Sequence, residues 1–215
     1  GQEFKSKYIS GADGPNSIVR EKVFKEKVKI LSAIEYLVEL EKEIKTDSLK
    51  IYLDNEKYPQ GYAWIFPKSK TTANIGIDGK GNLSEIFKRF LKEIVVRDYN
   101  NYKLLENRSG IIPFKNQETK FFQDNAMLIG DASGMADPLF HGGINQAMLS
   151  GKIAAQCVLR NETDLYEEKI KSMSYAKNSL TKANKAFYSL SNEVLNELGN
   201  IVENKGLSFI KTFSG

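Results

Sequence analysis

The sequence predicts an α+β fold, and three observations carry that prediction. Residues 50–78 alternate side-chain character with period two over three short segments, as strands of an antiparallel meander do. Residues 82–96 instead space their apolar side chains for one face of a helix. An apolar run, Ala126-Met127-Leu128-Ile129, ends in Gly130-Asp131 and leads through a Pro138 and Gly142-Gly143 loop into a small-residue helix. Sheet, helix and strand–loop–helix thus follow one another along the chain.

In order, Tyr8-Ile9-Ser10-Gly11 reads as a strand leading into a turn at Asp13-Gly14-Pro15. Asn16 or Ser17 can cap a helical run over Ser17–Phe24 by accepting a backbone N–H. No βα unit precedes that first strand to give it neighbours, so the chain reads as beginning mid-domain. From Lys29 to Glu43 apolar and β-branched residues dominate, with a strand over Ser32–Glu39. The meander strands are Lys50–Asp54, Tyr62–Pro67 and Ala73–Asp78, separated by Asn55-Glu56, Pro59-Gln60-Gly61 and Lys68–Thr71. Asn82 or Ser84 opens a helix to about Val96, with Ile86, Phe87, Phe90, Leu91 and Ile94 on one face. Ser109–Pro113 and Phe121–Ile129 follow as strands, then a helix over Ile144–Leu159 with Cys157 in its core face. The tail from Asp164 to Glu203 is mostly helical, with interrupted stripes built on Leu165, Ile170, Met173, Leu180, Phe187, Leu190, Val194 and Leu198. Gly199 and Gly206 are its expected terminators.

Composition narrows the function classes. An apolar content of 41% with 27% charged residues is that of a globular chain, and 215 residues can bury a sizeable core in one large domain or two small ones. The net charge of +4 comes from scattered, interleaved charges, with no basic stripe or module to bind nucleic acid. A single cysteine cannot form an internal disulfide and fits a reducing, cytoplasmic location. No apolar run reaches the roughly 18–20 residues of a membrane span, which leaves room for peripheral membrane contact. No metal site is expected.

Two motifs carry the chemistry. In Gly11-Ala12-Asp13-Gly14-Pro15-Asn16-Ser17-Ile18-Val19-Arg20, an Asp at a strand end can accept backbone N–H bonds or face a phosphate or sugar. Gly14 permits the turn that a Cβ would obstruct. At Gly130-Asp131 a carboxylate at a strand tip suits a ligand hydroxyl, and the helix after Gly142-Gly143-Ile144 adds roughly half a positive charge at its N-terminus. Ala147, Gly151, Ala154 and Ala155 keep that helix narrow enough for close packing. Each motif also reads as a plain turn or a strand–loop–helix with no ligand.

Taken together the motifs are more specific. ADGPNSIVR resembles the Asp-Gly motif of FAD-dependent hydroxylase-like flavoproteins, and GDASGMADPLFHGGI resembles their Gly-Asp motif. Between them, Tyr62-Ala63-Trp64-Ile65-Phe66-Pro67 looks like the Tyr-x-Trp-x-Phe-Pro motif of the geranylgeranyl reductase family, and Ala73-Asn74-Ile75-Gly76-Ile77 also fits that branch. The resemblance spans residues 8–160. It implies an α/β flavoprotein remnant: a partial FAD-binding domain in residues 1–28 and 116–160, an antiparallel sheet substrate domain in 29–115, and a C-terminal helical region in 161–215. Asp13 and Gly14 would organise the pyrophosphate side of FAD, with Arg20 and Pro138 in the same cofactor-binding set. Gly130 and Asp131 would hold the ribityl or phosphate part, and the N–H groups around Gly142, Gly143 and Ile144 would stabilise anionic reduced flavin. Tyr62, Trp64 and Phe66 would line a pocket for an isoprenoid lipid, although plain sheet core is the other reading of those three.

The family pattern is broken in two places. Phe140-His141 stands where many relatives have Thr-Gly, which makes His141, the sole histidine, a weak candidate for proton transfer. The Gly-x-Gly-x-x-Gly loop that seats the pyrophosphate is absent, since Gly76, Gly79 and Gly81 have the wrong spacing and read as a hairpin-type turn. The expectation is a C-terminal portion of a longer flavoenzyme that binds FAD weakly or not at all by itself. The resemblance implies reduction of geranylgeranyl double bonds by hydride from reduced flavin, with NAD(P)H or a ferredoxin-type protein as conceivable electron donor. An FAD-dependent aromatic monooxygenase or halogenase-like enzyme is the alternative, and a flavin-free lipid-binding fragment is the non-enzymatic one.

Overall fold

The computed structural model describes residues 2–115, 119–173 and 178–205. In chain order its elements are β1 (Ile9–Gly11), a π-helical turn (Arg20–Phe24), β2 (Lys29–Leu40), β3 (Lys50–Tyr52), β4 (Ala63–Pro67) and β5 (Thr72–Gly79). Helix α1 (Leu83–Phe90) runs on through a π-helical stretch, Leu91–Val96, into a last turn, α2 (Arg97–Tyr99). Then come β6 (Tyr102–Phe114), β7 (Phe122–Gln123), β8 (Ala126–Leu128), a 3₁₀ turn (Gly130–Ser133) and α3 (Ile144–Arg160). A second 3₁₀ turn (Thr163–Leu165) precedes α4 (Tyr166–Lys171), α5 (Asn178–Phe187) and α6 (Asn192–Lys205). The fold is mixed α and β with an antiparallel sheet, as the sequence predicts. The chain divides into two compact units, residues 1–30 with 112–185 and residues 31–111 with 186–215.

The first unit is built on a three-stranded sheet, β1-β8-β7. β1 pairs in parallel with β8, Ile9 opposite Ala126 and Gly11 opposite Leu128, across more than a hundred residues of chain. The strand expected over Phe121–Ile129 is in fact a hairpin, with Phe122 opposite Met127 and Gln123 opposite Ala126. Asp124 and Asn125 make its two-residue loop, both left-handed at φ 49° and 62°. That is the chirality which matches strand twist in tight hairpins; arms of only 2 and 3 residues are too short to show a period in the sequence. Phe121, Met127, Met135, Ala154, Cys157, Tyr166 and Ile170 form the core. The buried Tyr166 hydroxyl donates to the Leu128 carbonyl at 2.7 Å, and burial pushes its pKa up.

The second unit holds the five-stranded sheet, β3-β4-β5-β2-β6. Register decides what each face does. Ala63 and Ile34 both stand opposite Ile77, and Ile65 and Tyr36 both stand opposite Ile75. These residues turn to one face, where they meet Phe87, Phe90, Leu91, Val95 and Tyr99 of the long helix. Tyr36 stands edge-on to Phe87 at 4.8 Å and Tyr52 to Phe90 at 5.2 Å. Burying each such large side chain contributes about 1.5–3 kcal/mol. Asn82 opens the helix, its Oδ1 accepting from the Glu85 N–H.

Several boundaries move. β6 begins at Tyr102 rather than Ser109, because Lys103–Gly110 is exposed on both faces and shows no alternation. The helix passes Val96 to Tyr99 and stops at Asn100, φ 64°. β2 starts at Lys29. Gly76 lies inside β5, Gly79 ends that strand and Gly81 lies in its connection to α1, so none of the three sits in a hairpin turn. Gly199 lies inside α6 and does not end it; Gly206 falls outside the described residues.

Candidate cofactor and lipid sites

In the first unit, strand β1 delivers Asp13 to the start of the helical run. One carboxylate oxygen accepts from the Ile18 N–H at 2.7 Å and the Val19 N–H at 3.2 Å. Ser17 rather than Asn16 supplies the side-chain cap, its Oγ accepting from the Arg20 N–H at 2.9 Å. Partial burial raises the Asp13 pKa, but the Ser17 hydroxyl and the backbone donors outweigh it and hold the carboxyl below its ordinary value. Gly14 turns the chain at φ 79°. Arg20 is buried, and its guanidinium donates to the Ala132 carbonyl at 2.7 Å and the Pro15 carbonyl at 2.5 Å. The two sequence motifs are thus tied together, Asp13-Gly14-Pro15 to the turn that carries Asp131.

That turn sits tightly against α3. Gly130 has φ 57°, and a Cβ there would lie 2.9 Å from the Ala147 Cβ. Its N–H donates to Ser150 Oγ at 3.0 Å, and Ser150 in turn donates to the Gln146 carbonyl. Asp131 is half-buried, with no hydrogen bond to its carboxylate recorded among the described residues, and burial alone raises its pKa. Its Oδ1 would stand 3.1 Å from a Cβ at Gly143. No side chain caps α3, whose first residue, Ile144, is 82% exposed.

The loop before α3 is shaped by its own backbone. Asp137 Oδ1 accepts from the Leu139 and Phe140 N–H groups, and its carbonyl accepts from the His141 N–H. The Pro138 carbonyl accepts from the Asn184 amide. His141 is buried at φ 59°, its ring edge-on to Phe114 at 5.3 Å. A left-handed residue at that point accounts for a glycine being the easier choice there.

In the second unit, Tyr62, Trp64 and Phe66 lie along one edge of the chain running into and through β4. The Trp64 ring is 5.7 Å from Tyr62 and stacked on Phe66 at 6.0 Å. They occupy the sheet face opposite the helix-covered core. Trp64 lies over Gly76, its cross-strand partner, where a Cβ would come within 2.2 Å of the indole ring. Its Nε1 donates to Glu35 Oε2 at 3.2 Å, and Glu35 also meets Arg108 at 3.6 Å. Glu35 and Ser150 were not singled out from the sequence, and Gly76 and Ala147 were named there without these contacts. Their importance comes from pairing across strands or against a turn, and the only local signal was a glycine inside an alternating strand.

Residues 29–112 match the family described as the geranylgeranyl reductase catalytic domain. The digeranylgeranylglycerophospholipid reductase of Methanoculleus marisnigri is 36% identical over 131 residues, 60% of this chain and 33% of that protein. Digeranylgeranylglycerophospholipid reductase 3 of Methanosphaera stadtmanae is 30% identical over 229 aligned residues, 99% of this chain and 57% of that protein. A solved geranylgeranyl bacteriochlorophyll reductase-like protein of Thermoplasma acidophilum has a TM-score of 0.75 at 25% identity, covering 92% of this chain and 54% of that one. The flavin-dependent brominase Bmp2 shares the fold, with a TM-score of 0.60 at 18% identity, over 100% of this chain and 59% of that one. This chain therefore spans between a third and somewhat over half of these curated relatives. Among the described residues no helix is long and apolar enough to cross a membrane.

Proposed function

We propose that this chain belongs to the geranylgeranyl reductase family, which the match over residues 29–112 and the curated relatives support, and serves an FAD-dependent oxidoreductase that saturates isoprenoid double bonds of a lipid. The observation that carries the reading is the aromatic file Tyr62–Trp64–Phe66, on the sheet face opposite the core and inside the matched span. Tyr62 and Phe66 are half-buried and flank the buried Trp64, so the two outer rings offer a polyprenyl chain an apolar surface, and burying that chain against them is favourable at about 25 cal/mol per Å².

The first unit's residues fit a flavin nucleotide. Asp131 is half-buried, burial raises its pKa, and no side chain or backbone group among the described residues donates to its carboxylate, which leaves it open to a ligand hydroxyl. Gly142 and Gly143 leave the uncapped N-terminus of α3 open to an anion, with the helix dipole favouring negative charge there. Asp13 and Arg20 spend their charges on backbone groups, so their part is to hold the surrounding loops in shape. The Pro138 carbonyl, held by Asn184, keeps the loop ahead of the glycine pair in place. The His141 ring, turned onto Phe114, supports a packing role rather than proton transfer. When bound and reduced by an electron donor, the flavin would supply the hydride; the protein supplies binding, orientation and electrostatics.

The test is an anaerobic assay of the protein with FAD, dithionite and a geranylgeranyl lipid, read by mass spectrometry as a gain of two hydrogens per double bond. Oxidation of NAD(P)H coupled to oxygen uptake, with no saturated lipid, would favour the hydroxylase or halogenase-like alternative. Retention of lipid without flavin absorbance in any preparation would favour a lipid-binding module.

A further inference from the structure

Asn74 is a polar side chain with an apolar residue directly across from it on each neighbouring strand. It lies on β5 directly between Phe66 of β4 and Leu37 of β2, and directly opposed residues of an antiparallel sheet share a face. Neither neighbour has a polar side-chain atom. One pair along the strand, Trp64 covers Gly76, so the amide stands at the Phe66 end of the aromatic file. Its Oδ1 is buried and has no hydrogen-bond partner among the described residues. Leaving a buried acceptor unpaired costs about 1–3 kcal/mol, and a leucine would suit those neighbours without that cost. The missing partner of a carbonyl oxygen is an O–H or N–H donor.

We propose that Asn74 determines specificity for the polar end of the isoprenoid ligand, its Oδ1 accepting a hydrogen bond from a ligand O–H while the apolar chain lies along Phe66, Trp64 and Tyr62. The inference rests on the lipid reading above. The ligand class is an isoprenoid that carries an alcohol or acid hydroxyl at one end.

Trp64 is the single tryptophan of the chain, so its fluorescence reports binding at this face directly. Geranylgeraniol carries the hydroxyl; geranylgeranyl methyl ether has the same chain and no donor. The wild-type chain is expected to bind the alcohol roughly tenfold more tightly than the ether, the consequence of leaving one buried acceptor unpaired. Asn74→Leu should bind the two equally and melt about 2–4 °C higher, having lost an orphan polar group. Asn74→Asp, which keeps acceptor oxygens, should keep the preference, and decides the matter if the leucine variant does not fold. Equal wild-type affinity for alcohol and ether overturns the role of Asn74 and leaves the lipid reading standing. A lower melting temperature for a folded Asn74→Leu with the preference intact marks a structural amide and also overturns it. Failure of both lipids to change Trp64 fluorescence overturns the lipid reading and the Asn74 proposal with it.

Discussion

Gly76→Ala probes the aromatic face with a single methyl group. A Cβ at residue 76 would lie 2.2 Å from the Trp64 Cζ2, 2.5 Å from its Cε2 and 2.8 Å from the Ile34 carbonyl oxygen. Trp64 is only 8% exposed, so its ring has little room to retreat. Overpacking of this kind costs about 1–3 kcal/mol. Tilting the indole away also breaks its Nε1 bond to Glu35, a further loss of about 1 kcal/mol. The sum, about 2–4 kcal/mol, lowers the melting temperature of a chain this size by roughly 5–15 °C. Thermal melting followed by circular dichroism measures the first effect. A red shift of Trp64 emission and loss of the near-ultraviolet signal of the Trp64–Phe66 stack measure the second. Adding Trp64→Leu should recover part of the stability, but not all, because the Ile34 carbonyl contact persists. A Gly76→Ala chain with unchanged melting and unchanged emission would refute the placement of Trp64 over β5.

The remaining tests address the first unit. Asp131 has a folded pKa raised above its ordinary 3.8 by burial, so the folded state binds the proton more tightly and stability falls as pH rises through that window. Asp131→Asn should therefore melt higher at neutral pH and lose its advantage below about pH 4, while weakening any FAD binding; a lower melting point at pH 7 would sink the desolvation argument. Asp13 has the opposite shift, so the stability it adds is present above its unfolded pKa and lost as pH falls through the folded one. Asp13→Ala should cost about 1 kcal/mol at pH 7 and flatten the acid limb of the melting profile, which pH-dependent melts would reveal. Arg20→Met should destabilise the unit by about 2–4 kcal/mol, since it strips charged donors from two carbonyls; a shift under a degree would mean that water replaces them.

Much of the secondary structure is legible in the sequence where one face is wet and the other buried. The helix after Asn82 shows its period because one face meets water, and the meander strands show theirs because large apolar side chains alternate with polar or small ones, although most of β4 and β5 is buried on both faces. β6 does not, since most of its length is exposed on both faces. The hairpin at Asp124-Asn125 escapes for another reason: Gln123-Asp124-Asn125 interrupts the apolar run, but its arms, 2 and 3 residues long, are too short to show a period. The candidate site divides in the same way. Asp13 and Asp131 stand out because a carboxylate beside glycine at a strand end is unusual, yet their surroundings differ. One accepts from backbone donors, and the other is half-buried with no donor to its carboxylate among the described residues. Nothing in the two short motifs distinguishes these states.

The sequence by itself determined the types of the main elements, the presence of paired Asp-Gly motifs, and the aromatic spacing of Tyr62, Trp64 and Phe66. These are local properties, set by side-chain period, capping chemistry and the backbone freedom of glycine. Only the tertiary structure decided that Gly76 makes room for Trp64, that Arg20 binds one motif to the other, and that Asn74 has a buried oxygen left unpaired among the described residues. Each depends on which strand lies beside which and in what register. Register follows from burying one whole face of a sheet at once, a condition that no short stretch of sequence contains.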